Sequence, residues 1–176
     1  MHPGSKTILI ALLIFVGTYF AFSSPSFPSL HVGSQNVTGA PTLTAKQVDA
    51  VLCSHSSPAC GTSQSLYNAS QRYQIDDRYA LAVFSVESTY GRYGVAVTTH
   101  GLGNIRCSAG YSCYQGYRSY GSWQAGYNDF FGLIRNQYVN AWKLASVEQI
   151  VPKYAPASEN NSAQYIASVK RLMASY

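Results

Sequence analysis

Acidic residues are scarce in this sequence, and their scarcity excludes some classes of protein. Only 7 of the 176 residues are Asp or Glu, against 12 Lys and Arg, and charged residues together make up 11%. So few charges, with 47% hydrophobic residues and 15 tyrosines, exclude a disordered chain and indicate a globular one. The formal net charge of +5 favours anionic surroundings. Because no run of Lys and Arg is present, we expect no nucleic-acid partner.

The N-terminus has the composition of an export signal. Lys6 precedes an uninterrupted apolar run at residues 7–22, and the residues that follow are mostly serine and proline. The run is slightly shorter than the roughly 20 residues of a membrane-spanning helix, and Ala21 and Ser23 have the spacing of a signal-peptidase site. We predict that residues 1–23 are a signal peptide or, alternatively, an N-terminal membrane anchor. The protein is then secreted or held in the cell envelope.

The rest of the chain divides into a linker and one domain. Residues 24–43 are rich in Ser, Pro, Gly, Thr, Val and Asn without a helical or alternating period, so we predict a flexible linker. Residues 44–176 have the length of one compact domain with its own core. This part lacks internal repeats and a βαβ alternation, which argues against a parallel sheet with a phosphate-binding loop.

The four cysteines fall into two closely spaced pairs. Cys53 and Cys60 flank one loop rich in small residues, and Cys107 and Cys113 flank another. An even number of cysteines in an oxidising compartment predicts disulfides, and among the three possible connectivities we favour sequential pairing. The sequence lacks the C-x-x-C pairs of structural zinc sites. We therefore prefer disulfides to a metal site completed by histidines, and predict no metal.

Helical periodicity covers the domain on both sides of its middle section. Apolar spacing and capping residues predict helices at residues 44–53, 63–73, 75–88, 122–139, 146–154 and 160–176. Asp76 and Asp77 suit an N-cap and a first turn, and Ser146 with Gln149 has the capping-box pattern. Residues 89–122 are rich in Gly, Thr and Tyr, which predicts loops with short strands. The predicted fold class is mainly α, with a helical lobe and a small loop- and strand-containing lobe.

One carboxylate stands apart from the other acids. Glu87 follows an apolar run, with Val83 and Phe84 four and three residues before it on one helical face. A carboxyl on a buried face loses hydration, which raises its pKa and suits a general acid. The alternative is a glutamate at the helix C-terminus that reaches solvent or pairs with Arg92 or Arg106. The pattern by itself leaves both interpretations open.

Four segments, in order along the chain, resemble a known family: VESTYGRYG, THGLGNIR, YRSYGSWQAGYNDFFGLI and KYAPASENNSAQYIASV. Over residues 64–173 they resemble the bacterial endo-β-N-acetylglucosaminidase family of peptidoglycan hydrolases, in the lysozyme-like superfamily. The resemblance implies an α+β lysozyme-like fold whose two lobes form a substrate cleft. It also implies that Glu87 is the catalytic acid, that GLGNIR lies in the groove, and that Tyr154 lines the cleft, where we assign it a catalytic role.

The sequence departs from the usual glycosidase pattern in its second acid. Most glycosidases place two carboxyl groups about 5 Å apart when retaining and about 6.5 to 9.5 Å apart when inverting. Here no Asp or Glu lies between Glu87 and Asp129. Three options remain: Asp129 folds back into the cleft, the N-acetyl oxygen of the substrate attacks, or the sugar 6-hydroxyl attacks as in lytic transglycosylases. We favour the N-acetyl group and expect Asp129 to be an exposed charge.

The tyrosines of the middle section suit a carbohydrate partner, because flat rings with hydroxyl edges stack on sugar faces. We therefore predict that the partner is the glycan strand of peptidoglycan. The predicted substrate-binding residues are Tyr90, His100, Gly101, Asn104, Tyr114, Tyr117 and Trp123. Asn104 is expected nearest the acetamido group, whereas His100 suits a base, a pH sensor or an ordinary hydrogen-bonding residue.

The predicted function is hydrolysis of the β-1,4 bond after N-acetylglucosamine. We expect a monomer that needs no cofactor and meets a membrane only through its N-terminal segment. A lytic transglycosylase or a muramidase of the same fold is the alternative enzyme. A catalytically inert wall-binding module and a surface adhesin are the alternatives from other classes of protein.

Overall fold

A computed structural model describes residues 35–158 and 161–176 of the chain. The predicted signal peptide or anchor at residues 1–23 lies outside these residues, as does most of the predicted linker. Within the described part, no helix is both long enough and apolar enough to cross a membrane.

The described chain is mainly helical, as its periodicity predicted. Its α-helices are α1 (Ala45–Ser54), α2 (Ser63–Tyr73), α3 (Asp77–Ser88), α4 (Ala96–Thr99), α5 (Trp123–Leu133), α6 (Val147–Tyr154) and α7 (Ser162–Ser175). A π-helical segment, Ile134–Ala141, directly follows α5. Strands β1 (Cys113–Tyr114) and β2 (Tyr117–Arg118) form an antiparallel hairpin in the middle section.

The central helix is α3. Every side chain from Tyr79 to Phe84 is buried, which is expected of a helix that is apolar on all sides. Helix α7 packs along α3, α5 packs on α2, and α6 packs on α7. The helix that carries Glu87 is therefore surrounded by other elements before it reaches its last turn.

Two carboxylates fix the N-terminal end of α3, where the sequence predicted a cap. Asp76 is the N-cap, and its Oδ1 accepts a hydrogen bond from the backbone N–H of Arg78 at 2.9 Å. Asp77 is fully buried in the first turn, and its Oδ1 accepts from the backbone N–H groups of Thr42 at 2.9 Å and Leu43 at 3.2 Å. Asp77 thus ties α3 to the chain that enters α1.

The flexible linker predicted for residues 24–43 does not extend over residues 35–43, which pack on the domain. Val37 is fully buried, its N–H donates to the carbonyl of Ala145, and its carbonyl accepts from the N–H of Asp76, both at 2.9 Å. The folded part therefore begins before Thr44. Sequence periodicity cannot detect such a segment, because a single buried valine in an extended chain produces no repeating pattern.

The helix predicted for residues 122–139 is wider in its second half than an α-helix. The N–H of Trp142 donates at 2.9 Å to the carbonyl of Gln137, five residues earlier. This hydrogen-bond pattern defines a π-helix and shifts the side-chain register from a 3.6-residue period. Tyr138, which lies in this segment, is buried.

The predicted sequential disulfides are confirmed. Cys53 is bonded to Cys60 across the start of the loop between α1 and α2, and Cys107 is bonded to Cys113, the first residue of β1. Each bond closes a short loop that contains few apolar side chains, so the bridge replaces packing that the loop cannot supply.

Candidate active site

A cavity of about 520 Å³ lies at the C-terminal end of α3. Its volume falls within the range of small-ligand sites. The lining side chains come from α3, the loop after α4, the hairpin, α5, the π-helical segment and α6. They are Glu87, Asn104, Ile105, Arg106, Tyr117, Arg118, Leu133, Tyr138, Lys153, Tyr154 and Ala155.

Backbone strain begins two residues after Glu87, where α3 ends. Thr89, Tyr90 and Gly91 have consecutive positive φ angles of 49°, 55° and 86°. Only glycine adopts this region freely, and an L-residue there costs roughly 1 to 2 kcal/mol. A side chain at Gly91 would also bring its Cβ within 2.7 Å of the Leu102 side chain. Such strain often marks a functional site, and here it reverses the chain beside the carboxyl group.

The Glu87 side chain is held on one side by a phenol. The Tyr165 hydroxyl donates to Oε1 at 2.8 Å, while the Asn104 Nδ2 donates to the backbone carbonyl of Glu87 at 2.8 Å. Burial raises the pKa of the Glu87 carboxyl above its ordinary value, and hydrogen bonds from Tyr165 and Asn104 and the charge of Arg106 partly oppose this. The carboxyl therefore keeps its proton to higher pH than an exposed glutamate does.

Tyr165, which bonds Glu87, is one of the residues that the sequence analysis missed. It lies on α7, four and eight residues before Val169 and Met173, and all three are buried. That spacing predicts an ordinary core face. The available signal was chemical, because a buried tyrosine needs a hydrogen-bond partner, and the scarcity of acids left few candidates.

Tyr154 lines the cavity, but its proton is already engaged. The hydroxyl donates to the backbone carbonyl of Gly103. Burial, and next the charge of Glu87, raise the pKa of the phenol well above its ordinary value, so the ring stays neutral. A Cβ at Gly103 would come within 2.8 Å of both the Tyr154 oxygen and the Phe130 ring, so the contact requires glycine. Tyr154 can therefore offer oxygen lone pairs to the cavity, and it is neither a base nor a nucleophile.

Asn104 combines strain with an unsatisfied polar atom. Its φ angle is 47°, and its Oδ1 is buried without a hydrogen-bond partner among the described residues. A buried acceptor without a donor costs roughly 1 to 3 kcal/mol. Since Asn104 lines the cavity beside Glu87, a donor on a bound ligand would relieve that cost.

Asp129 was expected to be an exposed charge, and this expectation was wrong. Its Oδ2 accepts from Arg118 Nη1 at 2.9 Å and from the Tyr120 hydroxyl at 2.7 Å. Its Oδ1 accepts from the Tyr111 hydroxyl at 3.0 Å, and the Arg118 guanidinium stacks over the Tyr111 ring at 3.7 Å. Three donors, from strand β2 and from the chain on both sides of the hairpin, therefore converge on this α5 residue and fix the hairpin to the helical lobe.

Asp129 is also not a second acid of the cavity. It is absent from the lining, and Glu87 is the one carboxylate that lines the cavity among the described residues. Glu159 lies outside those residues. The described chemistry of the site is therefore that of a single carboxyl group.

His100, which directly precedes the predicted groove segment, and Gly101, its first residue, make packing contacts beside α5. A Cβ at Gly126 would come within 2.1 Å of the His100 carbonyl oxygen, and one at Gly101 within 3.0 Å of the Tyr120 ring. The His100 Nδ1 hydrogen-bonds to the Tyr120 carbonyl at 2.9 Å, and its ring meets Trp123 edge-on at 4.9 Å. His100 thus makes a hydrogen bond in the fold and does not line the cavity.

Tyr90 and Tyr114 also lie away from the cavity. Tyr90 is buried, with its ring 4.5 Å from His55 and its hydroxyl 2.5 Å from that of Tyr176. Tyr114 is exposed on β1. The predicted site residues that line the cavity are Glu87, Asn104, Tyr117 and Tyr154, and those that do not are Tyr90, His100, Gly101, Tyr114 and Trp123.

No family model matches the chain, and no curated protein matches it either. The fold and the site define only a broad class: a mainly helical, disulfide-bonded domain whose described residues place one carboxyl group in a cavity at the end of the central helix.

Proposed function

We propose that the protein is a peptidoglycan hydrolase with a lysozyme-like fold, which cleaves β-1,4 bonds of glycan strands with Glu87 as the general acid. The observation that carries the proposal is the environment of Glu87: a carboxyl group of raised pKa at the wall of a cavity, directly before a strained reversal of the chain. A proton donor must be protonated at working pH and must face the leaving oxygen. The resemblance to the endo-β-N-acetylglucosaminidase family supports the same role.

The reaction begins when Glu87 transfers its proton to the glycosidic oxygen. The bond between that oxygen and the anomeric carbon breaks, and its electron pair stays on the leaving oxygen. The carbonyl oxygen of the substrate's own N-acetyl group attacks the anomeric carbon. Water then opens this intermediate and gives its proton to the Glu87 carboxylate, which restores the acid.

Asn104 and Tyr154 are the supporting groups in this mechanism. The buried Asn104 Oδ1 accepts the N–H of the acetamido group and so orients its carbonyl for attack. Tyr154, whose proton is bound to the Gly103 carbonyl, presents oxygen lone pairs to the positive charge that develops on the sugar. Neither group requires a second carboxylate.

A lytic transglycosylase is the second candidate, and the single carboxylate of the described cavity lining favours it as well. In that reaction the 6-hydroxyl of the same sugar attacks the anomeric carbon, and its proton passes to the Glu87 carboxylate. The product is then an anhydro sugar instead of a reducing end.

The proposed location is outside the cytoplasm, either secreted or in the cell envelope. Two disulfides in a chain of this size are compatible with an oxidising compartment. The anionic cell wall found there would attract a protein with a net charge of +5.

The test is digestion of purified peptidoglycan by the wild-type protein and by Glu87→Gln, with products identified by mass spectrometry. Glu148→Gln is the matched control, because Glu148 lies on α6 outside the cavity lining. Reducing N-acetylglucosamine ends from the wild type and the control, but not from Glu87→Gln, support hydrolysis. Anhydro products identify the transglycosylase. Equal digestion by all three proteins excludes Glu87 as the acid, and wall binding without digestion indicates an inert module.

A further inference from the structure

A row of aromatic rings leads from the cavity to the surface. Tyr154 and Tyr138 both line the cavity, and their ring centres are 6.3 Å apart. The ring of Trp142 comes next, 5.0 Å from that of Tyr138 at an interplanar angle of 66°. Tyr138 is only 7% exposed, whereas Trp142 is 47% exposed and is not part of the cavity lining. The row therefore ends on the surface, one ring outside the cavity.

The indole of Trp142 has a face that a ligand can reach. Tyr138 meets it edge-to-face, and since one ring covers at most one face of another, the second face of the indole is not covered by Tyr138. Leaving nearly half of so large an apolar side chain exposed forgoes part of the stabilisation that burial provides. A flat partner that stacks on the second face would recover it.

The backbone holds Trp142 in a defined position at the end of the π-helical segment. Its own N–H donates to the carbonyl of Gln137, and the N–H of Leu144 donates at 2.9 Å to the carbonyl of Tyr138. Between these two bonds, Lys143 has a φ of 60°, which residues other than glycine seldom adopt. Both π-helical geometry and such local strain are frequent at functional sites. Trp142 thus lies on a turn that is hydrogen-bonded on both sides.

The surroundings of Trp142 on this segment suit a sugar better than a protein. The exposed residues of the segment include three amides, Asn136, Gln137 and Asn140. A protein-binding surface needs a contiguous apolar patch of roughly a few hundred Å², which one indole among amides does not supply. An aromatic face for the apolar face of a pyranose, with amides near it for the hydroxyl groups, has the composition of a small-ligand site.

We propose that Trp142 stacks on a sugar of the bound strand outside the cavity, so that the protein prefers long glycan strands to short ones. The inference rests on the proposed function and adds a specificity-determining residue to it. A cavity of about 520 Å³ has the size of a small-ligand site, so a polymer must leave it, and the aromatic row marks a way out over Tyr138. Stacking acts on ring faces, so Trp142 sets the preferred length and not the bond that is cut.

The test measures binding separately from cleavage, with full-length Glu87→Gln so that ligands are not consumed. The probes are β-1,4-linked N-acetylglucosamine oligomers of two to eight sugars. The chain has two tryptophans, Trp123 and Trp142, so its NMR spectrum contains two indole N–H signals, and Trp142→Phe assigns them. We expect the Trp142 signal to shift with the long oligomers but not with the disaccharide, and the Trp123 signal to shift little. A Trp142 signal that no oligomer moves overturns the inference.

Substitutions in the same background assign the length preference to the indole. Trp142→Ala should weaken binding of the octamer by about tenfold, the order of one aromatic stacking contact, and should leave the affinity for the disaccharide unchanged. Trp142→Phe keeps a flat ring and should retain most of the preference. Tyr93→Ala, which removes an aromatic side chain that is 62% exposed before α4, is the matched control and should retain all of it.

Two results with Trp142→Ala would overturn the inference. An equal loss of affinity at every oligomer length would mean that the substitution disturbs the cavity and that no outer contact exists. A change from dimer to monomer in sedimentation, with oligomer binding unaltered, would mean that the indole lies between two copies of this chain.

Digestion of peptidoglycan by the protein with Glu87 intact distinguishes the two proposals. Length-dependent binding that requires Trp142, without cleavage that depends on Glu87, retains the sugar contact and removes the proposed hydrolase. Cleavage that depends on Glu87, with the same rate on long and short strands in the wild type and in Trp142→Ala, retains the hydrolase and removes the sugar contact.

Discussion

Each end of α3 carries a carboxyl group that has lost hydration, buried at Asp77 and half-buried at Glu87, and the two groups have different roles. Asp77 lies in the first turn, and its Oδ1 accepts hydrogen bonds from the backbone N–H groups of residues 42–43. Its Oδ2 is buried without a partner among the described residues. Glu87 lies in the last turn, its Oε1 accepts a hydrogen bond from the Tyr165 hydroxyl, and its side chain lines a cavity. Burial raises the pKa of both carboxyls, to about 6 for Asp77.

A raised pKa therefore does not by itself identify a catalytic acid. Both groups lose hydration in the same helix, so desolvation cannot distinguish them. What distinguishes them is access: Asp77 is fully buried with its acceptor bound to the chain before α1, whereas Glu87 meets a space that a ligand can enter. Three consecutive positive φ angles, at residues 89–91, also follow the Glu87 end, whereas a single one, at Gln74, precedes the Asp77 end. Four predictions test this comparison.

The largest expected effect separates the two carboxyls by activity. Glu87→Gln should lower the rate of peptidoglycan digestion by at least about 100-fold, the lower range for loss of a general acid. Asp77→Asn should leave the rate nearly unchanged, because Asp77 does not line the cavity and its bonded oxygen is held by residues 42–43. Release of soluble fragments measures both rates. A comparable loss in Asp77→Asn, with the helical circular dichroism intact, would contradict the division of roles.

The second prediction concerns stability and pH at the Asp77 end. Its pKa is about 6 in the folded chain against an ordinary value of 3.8, so the folded state binds the proton more tightly. The cost of the buried charge is complete above pH 6 and disappears as pH falls toward 4. The free energy of unfolding should gain about 2 to 3 kcal/mol from this group over that interval.

Urea unfolding at pH 7 and pH 4.5 measures that gain. Asp77→Asn has no charge to bury and should show a flatter pH dependence than the wild type. Asp49→Asn, which changes a carboxylate on α1 outside this contact, should keep the wild-type slope. If Asp77→Asn and the wild type have the same slope, the buried charge at Asp77 does not control acid stability.

The third prediction concerns the phenol that holds Glu87. In Tyr165→Phe the hydrogen bond that lowers the pKa of Glu87 is lost, so that pKa rises further. The high-pH limb of the activity profile should then move upward by as much as about one pH unit, which corresponds to a hydrogen bond of about 1.4 kcal/mol. Tyr67→Phe, on α2, is the matched control. A lower rate with an unmoved limb would make Tyr165 a packing residue only.

Much of the fold could be predicted from the sequence because its helices obey a local rule. Apolar spacing and caps such as Thr44 and Ser146 depend on neighbours within four residues. The π-helical segment and the packing of Val37 could not be predicted in this way. The first changes the period itself, and the second depends on an N–H and a carbonyl that are distant in sequence.

The residues of the candidate site also separate into those that local sequence predicts and those that depend on distant contacts. Glu87 could be predicted as a site residue, because the scarcity of acids and its position in an apolar helix are properties of the sequence. The roles of Tyr165, Arg118 and Lys153 could not be predicted. Tyr165 reaches Glu87, and the two cations reach the cavity, from elements whose packing the sequence does not reveal. Asp129 was assigned wrongly for the same reason, because its donors come from the folded-back hairpin.

The smallest predicted effect tests the backbone at the two ends of α3. The N-cap, Asp76, has an ordinary φ of −55°, whereas the C-cap, Thr89, has a φ of 49° that a β-branched residue adopts at a cost. Thr89→Asn should raise the free energy of unfolding by about 0.5 to 1 kcal/mol, because asparagine tolerates this region better. Thr98→Asn, an exposed change within α4, should give no such gain in urea unfolding. A gain with full activity would mean that the turn only reverses the chain; a gain with lost activity would mean that its strain positions Glu87.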